Sequence, residues 1–311
     1  MAKYIFIPKL FEEKIRERGH ERHMLLFEML QARLGWELKY KPMFLGVPED
    51  TEAVISYGWE FRADRDVVNL ASLNRNIKLI CFLYDPTWIT KNCVYDMFRR
   101  ADLIISPLKE YFNSQYPDFK DKHFFLPNYF APEERFAGLP YNENPKMKCL
   151  MSGQALRYYT IRVHIIETVM KHPEWRDKID ILEHKRFPKQ FFTIPKRPYE
   201  EYGQVINEYF CSVTDSSHTT HNSVVAKSLE IPAAGALLLT TKVSDRDEMG
   251  FVPYEHYIPI TRKTALEQIK ACLENPGDYE GIRKKGMEFV RENHGLRSRF
   301  EQLKKAVGGL C

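Results

Sequence analysis

The sequence predicts an α/β protein with two doubly wound parallel sheets, in two domains that face a cleft. Short apolar runs alternate with amphipathic segments from the start of the chain, which is typical of parallel strands connected by helices. The alternation stops between Ala131 and Lys146, in "APEERFAGLPYNENPK", where proline, glycine and asparagine are frequent, and it then restarts. A length of 311 residues suffices for two hydrophobic cores. We therefore predict domains over residues 1–135 and 146–311.

The first domain is predicted to contain six strands, each a short apolar run bounded by polar or turn-forming residues. The segment "ERHMLLFEMLQARLG" has apolar residues at helical spacing and ends at a glycine, which predicts a helix between the first two strands. Two more helices are expected, one through "CVYDMFRRA" and a short one after the fifth strand. The predicted strands are "KYIFIP", "WELKYKPM", "AVISYG", "IKLICFLYD", "DLIISP" and "HFFLPN".

The second domain repeats the alternation. Its predicted strands are "MKCLMSG", "IDILEH", "FCSVTD" and "ALLLTT", with helices through "IRVHIIETVMKH", "YEEYGQVINEY" and "VVAKSLEIPAAG". The tail from Ala265 to Val307 has the spacing of two helices, with a break in the second near His294 and Gly295. We expect these C-terminal helices to pack back on the first domain.

The composition is that of an ordinary globular protein. Hydrophobic residues make up 44% of the chain, and the net charge of +4 suits a phosphate-bearing ligand but is too small to indicate nucleic acid. Six cysteines lie without CxxC spacing, several of them in apolar runs, so buried thiols are expected rather than zinc or disulfides. No apolar run is long enough for a membrane span and no signal-peptide pattern opens the chain. A cytoplasmic location is expected, with peripheral membrane association left open.

The stretch "VVAKSLEIPAAGALLLTT" indicates a helix with Lys227 and Glu230 on one face, followed by a glycine and an apolar strand. A surface ion pair is the ordinary interpretation of this spacing. The preceding loop, "TDSSHTTHNS", favours another, because small polar residues lead to a helix N-terminus with Asn222 or Ser223 as the predicted N-cap. Free amides and the helix dipole there make an anion site. Lys227 would then contact a phosphate, and Glu230 the hydroxyls of a ribose.

Four stretches, spread over nearly the whole chain, carry a family resemblance. They are "GHERHMLLFEMLQARLGWEL", "FFLPNYFAPEERF", "CLMSGQALRYYTIR" and "NSVVAKSLEIPAAGALLLTT". In this order they resemble the first loop and helix, the segment leaving the first domain, the opening of the donor-binding domain and the glutamate helix of GT-B fold glycosyltransferases. The similarity is greatest to the retaining group-one type and its relatives similar to spore-maturation glycosyltransferases.

The resemblance implies that the second domain holds a nucleotide-sugar donor, with UDP- or GDP-sugars expected first, and that the first domain holds the acceptor. Glu230 matches the glutamate that binds the ribose. The diphosphate is assigned to Lys227, Gly153 and Arg157. The predicted nucleotide-sugar-binding set is completed by Arg162, for which a solvated helix face is the alternative, and by Ser223 and Val224.

Three residues are candidates for contact with the reacting groups: Asp85, Asn222 and His20. Asp85 ends a predicted central strand in "FLYDPTW" and could be a general base or an acceptor-binding group, or equally the turn residue before Pro86. His20 could contact acceptor or phosphate, or be a solvated loop residue. Asn222 stands where family members often carry a glutamate, eight residues before Glu230. Its amide can bind a sugar hydroxyl but supplies no negative charge, which weakens the assignment to the retaining class.

No metal site is predicted. Two D-x-D tripeptides, 64–66 and 245–247, lie in charged segments where such triplets arise by chance, and one triplet supplies too few oxygens for a hard cation. His218 and His221 precede the helix and are assigned to ligand contact or solvation. Aromatic residues near strand ends could form a platform for sugar rings, although core packing explains them equally well. They are Tyr57, Trp59, Tyr84 and Trp88.

The sequence therefore predicts a retaining, metal-independent glycosyltransferase that needs no cofactor besides its nucleotide-sugar donor and acts on a saccharide or glycoconjugate acceptor. Two other functions stay open. A non-catalytic nucleotide-sugar-binding protein is favoured by Asn222. A nucleotide-sugar epimerase would convert the donor without an acceptor. The fold does not distinguish these functions, because chemistry depends on the site.

Overall fold

The computed structural model describes residues 2–7, 21–39, 47–58, 73–83, 86, 91–128, 133–153, 159–183, 192–195, 198–216 and 224–310. The chain forms two compact units, one of Met1–Asn128 with Leu296–Cys311, and one of Tyr129–Gly295. The sequence divides the chain at 135 and 146 instead, so the first unit of the structure ends earlier and includes the end of the chain. No helix among the described residues is long and apolar enough to cross a membrane.

The first unit contains a six-stranded parallel sheet in the order β2-β1-β3-β4-β5-β6. Because its faces are covered by helices, its central strands are nearly continuous apolar runs, such as "KLICFL" in β4. The strands are β1 (Ala2–Phe6), β2 (Glu37–Lys39), β3 (Thr51–Gly58), β4 (Lys78–Leu83), β5 (Leu103–Ser106) and β6 (His123–Phe125), with helices α1 (Glu21–Leu34), α2 (Lys91–Arg100) and α3 (Lys109–Gln115).

The second unit contains a five-stranded parallel sheet in the order β11-β10-β9-β7-β8. Its strands are β7 (Lys146–Met151), β8 (Ile179–Ile181), β9 (Tyr209–Val213), β10 (Leu237–Thr240) and β11 (Ile258–Pro259). Its helices are α4 (Glu133–Phe136), α5 (Thr160–Lys171), α6 (Tyr202–Asn207), α7 (Lys227–Ala233), α8 (Ser244–Glu248), α9 (Ala265–Glu274) and α10 (Pro276–Asn293). The core of this unit includes three buried cysteines, which are free thiols as predicted: Cys149, Cys211 and Cys272.

The order of the second sheet reverses between β7 and β9. The chain passes from β7 to β8 on one side, then returns to place β9 on the other side. In open α/β sheets, ligands bind outside the carboxyl ends of the strands at such a switch point. Met151 of β7 pairs with Val213 of β9, so the residues that follow these two strands emerge side by side at the carboxyl edge.

The last helix, α11 (Leu296–Gly308), belongs to the first unit and packs against α1. Arg33 of α1 lies over the ring of Phe300, 5.4 Å from its centroid. Arg299 is buried and donates from Nε to the carbonyl oxygens of Pro127, at 2.9 Å, and Asn128, at 3.3 Å. Burial lowers the pKa of Arg299 to about 9. The "LPN" segment at the end of the first sheet is thereby fixed to the last helix.

The predicted strands are present at all ten positions, and the break at His294 and Gly295 is confirmed by the separation of α10 from α11. The two predicted tail helices are present as α9 and as a second helix that this break divides into α10 and α11. Three elements differ from the prediction. The short elements α8 and β11 were not predicted, and α4 lies inside the predicted linker, because periodicity is not detectable over two to five residues.

His123 gives the first unit a pH-dependent stability. Its Nε2 lies 2.8 Å from Ser106 Oγ, and its ring stacks on Phe112 at 4.2 Å. Burial, followed by the charge of Lys109, lowers the pKa of His123 from 6.5 to about 4. Between these two pH values the unfolded chain binds a proton that the folded chain does not bind. The free energy of unfolding therefore falls as the pH falls through this window.

We expect His123→Gln to remove this dependence, because glutamine keeps a hydrogen-bonding group and does not titrate. Urea unfolding at pH 7 and pH 4.5 measures it. The wild-type protein should lose about 2 to 3 kcal/mol more than the variant between the two pH values. Equal losses in both proteins would show that His123 is not the group responsible.

Candidate functional site

Buried polar side chains gather at the carboxyl edge of the second sheet, at the switch point. Ser152 and Gly153 follow β7, and the residues 214–216 follow β9. Ser152, Thr214 and Asp215 are all fully buried. Thr214 N donates to the carbonyl oxygen of Leu239 in β10, which brings the end of the next strand alongside. Fully buried polar groups need partners, so this edge is organised by their hydrogen bonds.

A buried ion pair joins β9 to α5. Arg162 Nε lies 2.8 Å from Asp215 Oδ1, with the two side chains 4% and 0% exposed. The other oxygen of Asp215 accepts from the amide of Ile161 at 2.9 Å, which satisfies a free amide at the start of α5. Arg162 Nη2 donates to Thr214 Oγ1 at 3.0 Å and to the carbonyl oxygen of Asp215 at 2.9 Å. The pair is thus surrounded by hydrogen bonds, as two desolvated charges require.

The arginine is therefore not a solvated helix residue, the alternative that the sequence left open. Arg162 is 3% exposed, and its guanidinium carbon lies 4.0 Å from the ring centroid of Tyr159. This stacking fixes the guanidinium plane.

Gly153 marks the point where two cations converge. Its φ is +86°, a conformation that favours glycine. A Cβ atom on Gly153 would lie 2.6 Å from Lys227 Cε, 3.5 Å from Lys227 Nζ and 3.6 Å from Arg162 Nη1. Because Gly153 has no side chain, the Lys227 side chain can pass over it. Both cationic groups lie within 3.6 Å of the position that this Cβ atom would occupy.

Lys227 is the first residue of α7, and its ammonium is held by Tyr202. Its Nζ donates to Tyr202 Oη at 2.5 Å and lies 4.4 Å from the centroid of the Tyr202 ring. Among the described residues, no carboxylate lies within ion-pair distance of this ammonium. Glu230, one turn further along α7, is 4% exposed. The interpretation of Lys227 and Glu230 as a surface ion pair is therefore wrong.

Helix α7 begins later than predicted. Its N-cap is Ala226, with helical backbone angles and no side-chain cap, whereas the sequence predicted Asn222 or Ser223. A turn precedes the helix, because Ser228 N donates to the carbonyl oxygen of Val225 at 2.9 Å. This turn moves the start of the helix to Lys227 itself. A helix of seven residues has little stability alone, so α7 depends on tertiary contacts.

Three arginines, of which Arg246 and Arg283 are buried, provide those contacts at both ends of α7. At its start, Arg246 Nη2 donates to Ser228 Oγ at 3.0 Å and to Thr240 Oγ1 at 3.2 Å, and Nη1 donates to the carbonyl oxygen of Thr241. At its end, Arg291 Nε donates to the carbonyl oxygen of Ala233 at 2.9 Å, and Arg283 Nε to that of Gly235 at 2.7 Å. These bonds satisfy carbonyl groups that a helix end leaves free.

The tripeptide 245–247 forms part of this anchor. Arg246 is fully buried and lies 5.1 Å from the ring centroid of Tyr257, and burial lowers the pKa of its guanidinium to about 10. Asp245 is also buried. The central arginine connects the triplet to α7 and β10. Among the described residues, no group of three or more histidine, cysteine or carboxylate side chains is placed to hold a metal ion.

Comparison with known proteins identifies the family. A family model described as glycosyl transferase-like matches residues 148–305, slightly more than half of the chain. The chain belongs to this glycosyl transferase-like family. The match begins within β7, continues past β11 and contains the site described above. No curated protein matches the chain significantly.

Solved structures show the fold of the whole chain. Anabaena HepE in complex with UDP superposes with a TM-score of 0.64 at 9% sequence identity, over 99% of this chain and 100% of HepE. Sucrose-phosphate synthase from Thermosynechococcus elongatus superposes with a TM-score of 0.60 at 12% sequence identity, over 91% of this chain and 76% of the synthase. The pneumococcal O-GlcNAc transferase GtfA, in complex with UDP and GlcNAc, superposes with a TM-score of 0.53 at 13% sequence identity, over 83% of this chain and 56% of GtfA. These likenesses confirm the predicted GT-B fold.

The structure of this glycosyl transferase-like protein brings Gly153, Arg162 and Lys227 together, with Glu230 on the same helix as Lys227. Val224 is buried just before the turn that leads into α7. Tyr57 is 1% exposed and packs with His23, Phe27 and Phe82 in the first core, so it is not available as a platform for sugars. The other predicted site residues lie outside the described residues: His20, Asp85, Arg157, Asn222 and Ser223, with His218, His221, Trp59, Tyr84, Trp88 and the tripeptide 64–66.

Sequence reasoning missed three residues that organise the site: Ser152, Tyr202 and Asp215. Asp215 had a detectable signal, since it follows directly after the apolar run "FCSVT" and therefore lies at a strand end. Ser152 had the same signal after "MKCLM". Tyr202 had none, because a helical tyrosine in "YEEYGQVINEY" gives no indication of which strand end it meets.

We expect Arg162→Met to destabilise the protein by about 3 to 5 kcal/mol, because it leaves Asp215 buried without its counter-ion. Urea unfolding measures this change. Arg99→Met is the matched control, since Arg99 pairs with Asp96 on the surface with 69% and 74% of the two side chains exposed. Its effect should be within about 0.5 kcal/mol. Equal stabilities of the two variants would contradict the structural role of the buried pair.

Proposed function

We propose that the chain transfers a sugar from a nucleotide-sugar donor to a saccharide or glycoconjugate acceptor, with the donor diphosphate bound at Gly153, Arg162 and Lys227 in the second unit. The observation that carries the proposal is the position of Lys227. Its ammonium lies at the switch point of the sheet, beside a second cationic group and with no carboxylate partner among the described residues. The ammonium supplies a positive charge, and the guanidinium of Arg162, which is paired with Asp215, supplies N–H groups; both suit a phosphate group.

The reaction breaks the bond between the anomeric carbon and the diphosphate, so negative charge grows on the leaving phosphate while the sugar becomes cation-like. Cationic groups fixed beside that phosphate stabilise the transition state more than the ground state. Lys227 and Arg162 are fixed in advance, by Tyr202 and by Asp215 respectively. They therefore need little reorganisation as the charge develops.

The same geometry supports a metal-independent reaction. In this site the positive charges that face the leaving group come from side chains, so the proposal assigns no role to a divalent cation. A retaining outcome follows from the resemblance to group-one glycosyltransferases. Asp85 and His20 stay candidates for contact with the reacting groups or the acceptor by their predicted positions at a strand end and in a loop, and Asn222 by the resemblance.

Glu230 is assigned to the ribose. It lies three residues after Lys227 on α7, so a nucleotide whose phosphate reaches Lys227 would bring its ribose toward the same helix. UDP is the first nucleotide to test, because HepE was crystallised with UDP and with UDP-glucose. A GDP-sugar is the second candidate.

One observation favours a second function, a nucleotide-sugar-binding protein without transferase activity. Asn222 occupies the place of a glutamate that the family often carries. An amide there leaves donor binding possible while it removes a negative charge near the reacting carbon.

The decisive experiment incubates the protein with UDP-glucose, UDP-GlcNAc or GDP-mannose and a panel of saccharide acceptors, with EDTA or with magnesium. We expect release of the nucleoside diphosphate from one donor, at the same rate in both conditions. Binding of a donor without hydrolysis or transfer would support the binding protein instead. A rate that is lost in EDTA would contradict metal independence, and no binding of any nucleotide would overturn the donor site.

We expect Lys227→Met to weaken UDP binding about tenfold to a hundredfold, because it removes a charge-assisted hydrogen bond to phosphate. The loss should be smaller for UMP, which carries less negative charge. Isothermal titration calorimetry measures both. Lys171→Met is the control, since Lys171 is exposed at the opposite end of α5 and should leave affinity unchanged. Unchanged affinity of the Lys227 variant would contradict the phosphate assignment.

A further inference from the structure

The side chain of Lys227 makes more contacts than it needs in order to supply a positive charge at a binding site. A lysine side chain has four rotatable bonds and is ordinarily mobile and hydrated. Here its Cε passes through the space above Gly153, and its ammonium reaches both the hydroxyl and the ring face of Tyr202. Ordering such a side chain costs conformational entropy, and these contacts must offset that cost.

Tyr202 is itself held firmly. It is 8% exposed, its hydroxyl lies 2.7 Å from Ser152 Oγ, and its ring meets Phe136 edge to face at 6.3 Å. The next residue, Gly203, packs α6 tightly against α4, because a Cβ atom there would lie 1.8 Å from the carbonyl oxygen of Arg135. The helix that carries Tyr202 is therefore held closely against α4, and the tyrosine side chain is held by Ser152 and Phe136.

Two hydrogen bonds meet at the Tyr202 hydroxyl. An ammonium only donates, so Tyr202 Oη accepts from Lys227. The same hydroxyl is hydrogen-bonded to Ser152 Oγ, where either oxygen can be the donor. The chain from Ser152 through Tyr202 to Lys227 starts at the carboxyl end of β7 and ends beside Arg162 Nη1.

We propose that Tyr202 is a positioning residue that holds the Lys227 ammonium in place for the donor diphosphate. The inference rests on the proposed function, since it assumes that Lys227 binds phosphate. A cation that is already ordered binds its anion without a further loss of side-chain entropy. The tyrosine contributes to the affinity for the nucleotide through Lys227, and the proposal needs no direct contact between Tyr202 and the nucleotide.

The test uses Tyr202→Phe, which keeps the ring and removes the hydroxyl. We expect UDP affinity to fall about threefold to tenfold, because the freed lysine must be ordered on binding. UMP affinity should fall less. In the Lys227→Met background the same substitution should have no further effect on UDP affinity, so the double-mutant cycle should show a coupling as large as the single effect.

Tyr209→Phe is the matched control. Tyr209 is 1% exposed, and its hydroxyl donates to Asp180 Oδ2 at 2.9 Å, at the opposite end of β9 from the site. Both substitutions remove a buried hydrogen bond and should lower the melting temperature. Only Tyr202→Phe should change the affinity for UDP.

Three outcomes would overturn the inference. UDP affinity unchanged by Tyr202→Phe, with Lys227→Met still weakening it, would show that the hydroxyl does not position the lysine. A rise in UDP affinity would show that the hydroxyl competes with phosphate for the ammonium. Additive effects in the cycle would show that Tyr202 acts independently of Lys227. If Lys227→Met itself leaves UDP affinity unchanged, the phosphate assignment of the proposed function fails instead.

Discussion

The ion pair between Arg162 and Asp215 is the interaction on which the carboxyl edge of the second sheet depends. Burying two charges is costly, and attraction offsets the cost only when every remaining donor and acceptor finds a partner. Asp215 meets this condition by accepting from the first turn of α5, and Arg162 by donating to the end of β9. One strand end and one helix start are fixed together. The third nitrogen of the guanidinium then lies near the space above Gly153, where a diphosphate is proposed to bind.

Helix α7 is also held in place by arginine side chains. It is too short to be stable alone, and three arginines from α8 and α10 bind groups at its two ends. Arginine suits this task because its planar fork of donors stays charged when buried and can reach several carbonyl and hydroxyl oxygens at once. A lysine would supply one compact charge with weaker geometric control. The protein keeps lysine at position 227, where a single ammonium is held by one tyrosine.

Much of the second unit could be predicted from the sequence, for physical reasons that individual elements illustrate. Strands such as "FCSV" and "LLLT" are buried on both faces, so they appear as apolar runs. Lys227 and Glu230 were found because the helix period and the following glycine are local signals. The predicted start of α7 is wrong because the helix begins after a turn at Val225 and Ala226, and no capping side chain marks that position in the sequence. Tyr202 contacts Lys227, 25 positions away, and Ser152, 50 positions away, and Arg162 pairs with Asp215, 53 positions away. No local pattern in the sequence encodes such contacts.

The proposed function depends on a diphosphate that binds at the carboxyl edge between β7 and β9. A crystal structure of the protein soaked with UDP would show whether it does. We expect phosphate density above Gly153, with oxygen atoms within hydrogen-bond distance of Lys227 Nζ and Arg162 Nη1. UDP bound elsewhere, or bound with no phosphate oxygen within hydrogen-bond distance of Lys227 Nζ, would contradict it.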